Sequence, residues 1–159
     1  MRNIAVGLTF TLLAIGALAQ APKGKKKAQE PKLYASSSDV AGMMAKAKSE
    51  RKQDQATFAQ RIVGLAPYNA SLEYRAAVGP ASVHEKEAEI FYVVDGGGTL
   101  MTGGTLVKKE GGAIVEGGTT QAVAKGDWFI VPENTPHWFS SINGVLVLMS
   151  LHVPRPLPE

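Results

Sequence analysis

The sequence predicts an all-β domain, an antiparallel sandwich or barrel, preceded by one or two helices. Two observations carry this expectation. From Leu72 onward the chain is a succession of short β-branched and aromatic runs, each closed by Gly, Pro, Asn or Asp. No helical period is interleaved among them, whereas the residues just before show one, which separates a helical prelude from a sheet domain. At 159 residues and 45% hydrophobic content, the chain is long enough for one domain with a core and too short for two.

Residues 1–19 follow the plan of a secretory signal peptide. Arg2 precedes an apolar stretch from Ile4 to Leu18, and Ala17-Leu18-Ala19 forms a small-x-small end before Gln20. That apolar run falls short of the roughly 20 residues a spanning helix needs. The expectation is cleavage between Ala19 and Gln20, a secreted or periplasmic protein, and no stable membrane anchor. Residues 20–37 are a basic leader with Lys23, Lys25, Lys26 and Lys27 clustered, read as solvated and disordered. Outside Arg2 and this cluster, acidic and basic residues nearly balance despite the formal net charge of +3, so no nucleic-acid surface is indicated. The chain has no Cys, which excludes disulfides, thiolate metal sites and Cys nucleophiles.

Residues 38–66 read as a helical extension. Ser37 or Ser38 followed by Asp39 is a helix start signal, and Val40, Met43, Met44 and Ala47 recur at helical spacing. Phe58, Ile62 and Val63 continue the apolar positions after the charged patch from Lys48 to Gln55. These helices are expected on the outside of the sheet, with the Met pair serving packing.

Residues 67–159 read as the β domain. Its strands are expected over 72–78, 83–94, 99–107, 113–115, 119–123, 128–131, 137–140 and 145–153, with Asp95-Gly96-Gly97-Gly98 ending the second of them. Gly-Gly-Thr occurs at Gly97, Gly103 and Gly117. No Walker Lys-Ser/Thr ending follows, so these are hairpin turns and a flexible insertion rather than a phosphate loop.

Two stretches, Ser82–Gly96 and Gly126–Ser141, place potential ligands beside strand-like runs. Glu89, Phe91 and Val93 share one face of a strand, which sets the carboxylate against apolar wall. His84 is five residues earlier, so a turn must intervene to bring both inward. His137 shares parity with Phe139 and Ser141. Two His and one carboxylate make a ligand set for a borderline divalent metal with open positions, and His84, Glu89 and His137 are the metal-ligand candidates. His152 shares parity with Leu146, Leu148 and Ser150, which places it inside the barrel as an acid or base candidate. Glu85 and Glu87 flank His84 toward solvent, and Glu87 is the second catalytic candidate. Arg75 and Tyr74 precede the first stretch, where either side chain is suited to a substrate carboxylate. Trp128 and Trp138 read as core or pocket wall. There is no G-x-S-x-G turn, which argues against a Ser-His-Asp triad.

The two stretches resemble the two motifs of the cupins. In the first, written G-x5-H-x-H-x3,4-E-x6-G, His84, Glu89 and Gly96 match, while Ser82 stands at the first His and Ala76 at the leading Gly. In the second, written G-x5-P-x-G-x2-H-x3-N, Gly126, Pro132 and His137 match, with Asn134 at the Gly and Ser141 at the Asn. Asn134 suits a left-handed turn as Gly does. The resemblance covers about residues 72–153 and is to a small secreted single-domain cupin of the RmlC-like jelly-roll superfamily. It implies a cupin-type double-stranded β-helix and a bound divalent ion (Mn, Fe, Ni or Zn). It also implies a small-molecule ligand or substrate, and a homodimer paired through the strand from Leu72 or the segment before it. Two functions stand open: a metal-dependent enzyme acting on a small oxygen-rich molecule, or a non-catalytic small-ligand-binding cupin with or without metal.

Overall fold

The computed structural model describes residues 30–155, so the signal-peptide expectation and that for residues 20–29 of the leader lie outside them; residues 30–37, expected to be disordered, instead pair with Gly64 at Lys32 and cap the helix at Ser36. Among the described residues one helix, α1 (Ser37–Glu50), precedes eight strands: β1 (Thr57–Leu65), β2 (Tyr68–Arg75), β3 (Glu87–Thr102), β4 (Thr105–Lys109), β5 (Gly112–Glu116), β6 (Thr119–Ala124), β7 (Trp128–Val131) and β8 (His137–Pro154). The main sheet runs β1-β2-β8-β3-β6, with β7 also paired to β3, and β4-β5 form a separate ribbon. Every strand pair is antiparallel. This is the all-β architecture expected, with one helix before it.

The helix starts one residue before the expected caps. Ser36 is the N-cap, its hydroxyl accepting from the Asp39 N–H while the Asp39 carboxylate accepts from the Ser36 N–H, which satisfies two orphan donors at once. Beyond Glu50 the helical reading fails, because residues 57–65 form a strand. A bulge between Arg61 and Val63 shifts the register of β1 against β2, so the apolar positions Phe58, Ile62 and Val63 lose strict alternation and mimic a helical spacing. Pairing with β2, a non-local partner, decides the outcome. The β domain therefore begins at Thr57 rather than at residue 67.

β3 and β8 are each longer than the strands expected there. Asp95–Gly98 does not end β3, and Asn143-Gly144 does not separate two strands in β8. Register shifts at Val93/Asp95, Gly96/Gly98 and Thr99/Leu100 bend the pair without breaking it. At Gly98 a Cβ would lie 2.3 Å from the Ser141 carbonyl oxygen, and at Gly96 (φ +76°) one would strike the Val145 carbonyl oxygen. Glycine here permits two backbones to touch. The triplets at Gly103 and Gly117 do fall at the strand ends flanking β4 and β5.

Two apolar clusters lie on opposite faces of the main sheet. Inside the barrel, Phe91, Val93, Leu100, Val123, Val131, Phe139, Leu146 and Leu148 are buried together. On the outside, Ile62, Leu72 and Val147 pack with Val40, Met43 and Met44 of the helix, as the helical spacing predicted. Burying each large apolar side chain contributes about 1.5–3 kcal/mol. Because β2 is flanked by β1 and β8, the strand from Leu72 is interior. The edge on that side is β1, the segment before it, where Lys32 exchanges backbone hydrogen bonds with Gly64 at 2.8 Å.

Candidate metal centre

Four elements deliver the site. The inward parity of β3 carries Glu87 and Glu89 ahead of Phe91 and Val93. In the ladder Glu89 stands opposite His152 of β8 on one side and Val131 of β7 on the other. His137 opens β8, and its backbone exchanges hydrogen bonds with Ser82 at 2.8 and 2.9 Å. His84 lies in the loop before β3, and its carbonyl accepts from the N–H of Asn134 at 2.8 Å. Asn134 adopts φ 55°, the left-handed turn expected at that position. The bend at Glu85-Lys86 supplies the turn needed between His84 and Glu89.

All three imidazoles of the chain converge on one buried carboxylate. Nε2 of His84 and Nε2 of His137 each lie 3.3 Å from Glu89 Oε2, and Nε2 of His152 lies 3.3 Å from Oε1. Glu89 and His137 are buried, at 4% and 5% exposure, while His84, His152 and Glu87 are half-buried. One donor atom each from His84, Glu89 and His137 lie within 4.8 Å of one another, and so do donor atoms of His84, Glu87 and His152. The sequence-predicted ligands are therefore together. His152 and Glu87, expected as acid or base candidates, stand in the same constellation. Ser82 is exposed and meets His137 through its backbone. Glu85 is exposed in the bend.

The second nitrogen of two of the three rings constrains the proton. Nδ1 of His152 lies 2.7 Å from Glu87 Oε1, and Nδ1 of His137 lies 3.3 Å from the Thr135 carbonyl oxygen. Carboxylate and carbonyl oxygens only accept, so in the neutral ring Nδ1–H donates and Nε2 presents a lone pair toward Glu89. Lone pairs of imidazole and carboxylate facing one another need a proton or a metal ion between them. The separations of 3.3 Å exceed the 2.7–2.9 Å or so of a charge-assisted hydrogen bond. Nitrogen and carboxylate donors in this arrangement fit a borderline divalent ion. With protons rather than a metal ion between rings and carboxylate, burial pushes the Glu89 carboxyl up, yet the hydrogen bond from His137 and the charges of His152, His137 and His84 outweigh it and hold the group below its ordinary value.

Around the centre the barrel is apolar on its inner side. Phe91 lies with its ring 6.3 Å from that of His137, and Phe91, Phe129 and Phe139 pack against one another at 4.9–6.2 Å. At the mouth, Val83 to Glu87 line an open cleft of about 370 Å³. Arg75 points inward, bonded to Glu73 with its guanidinium 4.7 Å over the Phe139 ring, and Glu73 in turn accepts from Ser150. Tyr74 faces the outer cluster instead. Trp138 donates to the Gly79 carbonyl at 2.8 Å. Trp128 is not core: it is 69% exposed and packs on Tyr92 at 4.7 Å. Parity on β3 and β8 was the signal available for Glu87 and His152. Nothing local in the sequence shows that Glu89 and His152 are ladder partners.

No curated protein matches the chain. Among solved structures, KdgF from Halomonas sp. is 21% identical, with 67% of this chain and 87% of that chain covered, at a TM-score of 0.48. A putative mannose-6-phosphate isomerase from Ralstonia eutropha JMP134 is 13% identical, covering 67% and 92%, at 0.50. The Fe(II) form of HppE is 15% identical, covering 64% of this chain and 53% of that one, at 0.51. These likenesses are ones of fold. Residues 70–152, more than half of the chain, match the family described as the cupin domain, and with the barrel described above this chain belongs to the cupins.

Proposed function

We propose that this cupin binds a divalent metal ion through His84, Glu89 and His137 and presents it at the barrel mouth to a small oxygen-rich molecule, as a metal-dependent enzyme. The observation that carries the reading is the approach of two Nε2 atoms to within 3.3 Å of one buried carboxylate oxygen. The donor chemistry suits Mn, Fe, Ni or Zn. The fold neighbour HppE in its Fe(II) form, at a TM-score of 0.51, is consistent with such an ion in a barrel of this kind. When bound, the ion supplies Lewis acidity toward an oxygen of the ligand.

The chain's own residues define how a ligand reaches the centre. Phe91, Phe129, Val131 and Phe139 close the inner side and exclude water there. Approach is therefore from the cleft at Val83–Glu87, where His84 is partly exposed. At that rim a proton is held between Nδ1 of His152 and Glu87 Oε1. A second reading, capture of a small ligand without turnover, is favoured by the same apolar filling, which leaves an open cleft rather than a deep chamber.

Elemental analysis of the mature protein, purified without a metal-binding tag, tests the centre beside a His84→Ala, His137→Ala double variant. Near-stoichiometric metal in the first and none in the second is expected; metal in neither, after soaking with Zn, Mn, Fe(II) and Ni, removes the metal reading. Saturable binding of candidate ligands without product formation assigns the second reading. We also read the protein as exported and dimeric, on the character of residues 1–19 and on the cupin resemblance, with β1 as the available edge. An intact mass beginning at Gln20 and light scattering check these two points.

A further inference from the structure

We propose that His152 is a fourth protein ligand of this centre, supplying from β8 an imidazole where Ser82 supplies none, and that Glu87 is the positioning residue that aims it. The inference rests on the metal reading above and extends it to a residue that neither cupin motif contains. Four observations support it.

Ser82, at the position where the motif has its first His, is exposed and serves the site through backbone hydrogen bonds to His137. The hydroxyl of a neutral Ser is in any case a weak donor to a borderline metal. His152 is the direct ladder partner of Glu89 across β3 and β8, so its inward placement is set by register and not by a loop. Its Nε2 lies 3.3 Å from Glu89 Oε1, the same separation at which His84 and His137 meet Oε2. The ring of His152 is also 5.1 Å from that of His84, and the ring of His137 is 5.3 Å from it.

Glu87 fixes which nitrogen points inward. Its Oε1 lies 2.7 Å from Nδ1 of His152 and 3.7 Å from Nδ1 of His84. A carboxylate only accepts, so the short contact commits the Nδ1 proton of His152 and leaves its Nε2 lone pair directed at Glu89. A metal-ligating imidazole is commonly held in this way by an outer carboxylate on its second nitrogen. Glu87 and Glu89 share the inward face of β3. One strand thus carries both the carboxylate among the donors and the one that orients a donor.

The test uses the mature protein, its His152→Ala variant and its Glu87→Gln variant, each loaded with Cu(II) for pulsed electron paramagnetic resonance and titrated with Zn(II) against a competing chelator. Circular dichroism verifies that all three are folded. The expected result is three coordinated imidazoles in the wild type and two in His152→Ala, with Zn(II) affinity lowered about 100-fold or more. Glu87→Gln keeps three imidazoles and loses about 10–100-fold in affinity, the range for an outer partner of a ligating His. An imidazole count unchanged by His152→Ala overturns the assignment, since His152 then holds Glu89 from outside the centre. A wild type that binds neither ion overturns the metal reading itself and this inference with it.

Discussion

Phe91 ties the stability of the barrel to the aim of the site, and its replacement by Ala has a magnitude that follows from the packing. The side chain is fully buried, at 0% exposure, and is the largest such group among the described residues. It stacks on Phe129 at 4.9 Å and meets Phe139 edge-on at 5.9 Å. Phe→Ala in a core costs about 3–5 kcal/mol through lost transfer energy and the cavity left behind. Each aromatic pair adds about 0.5–1.5 kcal/mol beyond area, which places this site toward the upper end. For a domain of this size each kcal/mol moves Tm by roughly 3–5 °C, so the metal-free variant is expected to melt roughly 12–25 °C below wild type. Phe91→Leu, which keeps part of the apolar volume but loses both aromatic pairs, is expected to cost less, about 1–3 kcal/mol. Because the ring also packs beside His137, Phe91→Ala is expected to weaken Zn(II) binding more than Phe91→Leu does. Urea unfolding and calorimetry of the metal-free proteins supply the measurement. A loss under 1 kcal/mol for Phe91→Ala would refute the packing argument.

Three further outcomes are expected. Gly98→Ala, whose Cβ meets the Ser141 carbonyl oxygen at 2.3 Å, should destabilise by about 1–3 kcal/mol; Gly42→Ala, with nothing within 4 Å on the helix, should instead stabilise by up to about 1 kcal/mol, and equal melting of the two contradicts the close-approach reading. The metal-free protein should lose stability in acid through Glu89: its folded-state pKa is depressed, so its contribution is present above the unfolded value and disappears as pH falls through the folded one. Denaturation midpoints of wild type and Glu89→Gln should therefore differ in pH slope below about pH 5, and parallel slopes sink the claim. Chelation should lower Tm, since a ligand held at 100 times its Kd adds about 2.7 kcal/mol; a melting curve indifferent to both Zn(II) and chelator speaks against the centre.

Much was legible in the sequence because it is encoded locally. Short β-branched and aromatic runs with Gly and Pro punctuation specify strands and turns residue by residue, and period-two parity put Glu89 with Phe91 and His152 with Ser150 on the inward faces. The spacing within each cupin motif brought His84, Glu89 and His137 into one proposed set, and the structure places them within 4.8 Å. Long-range pairing decided the rest. The Phe58, Ile62 and Val63 spacing is compatible with a helix until β2 takes up the backbone of β1 and a bulge absorbs the irregularity. Gly96–Gly98 reads as a turn until the Ser141 and Val145 carbonyls are seen to press against it. The register of β3 on β8 alone sets His152 opposite Glu89. A contact between residues so far apart in the chain depends on where two bulged strands come into register, and that is settled only when the barrel closes.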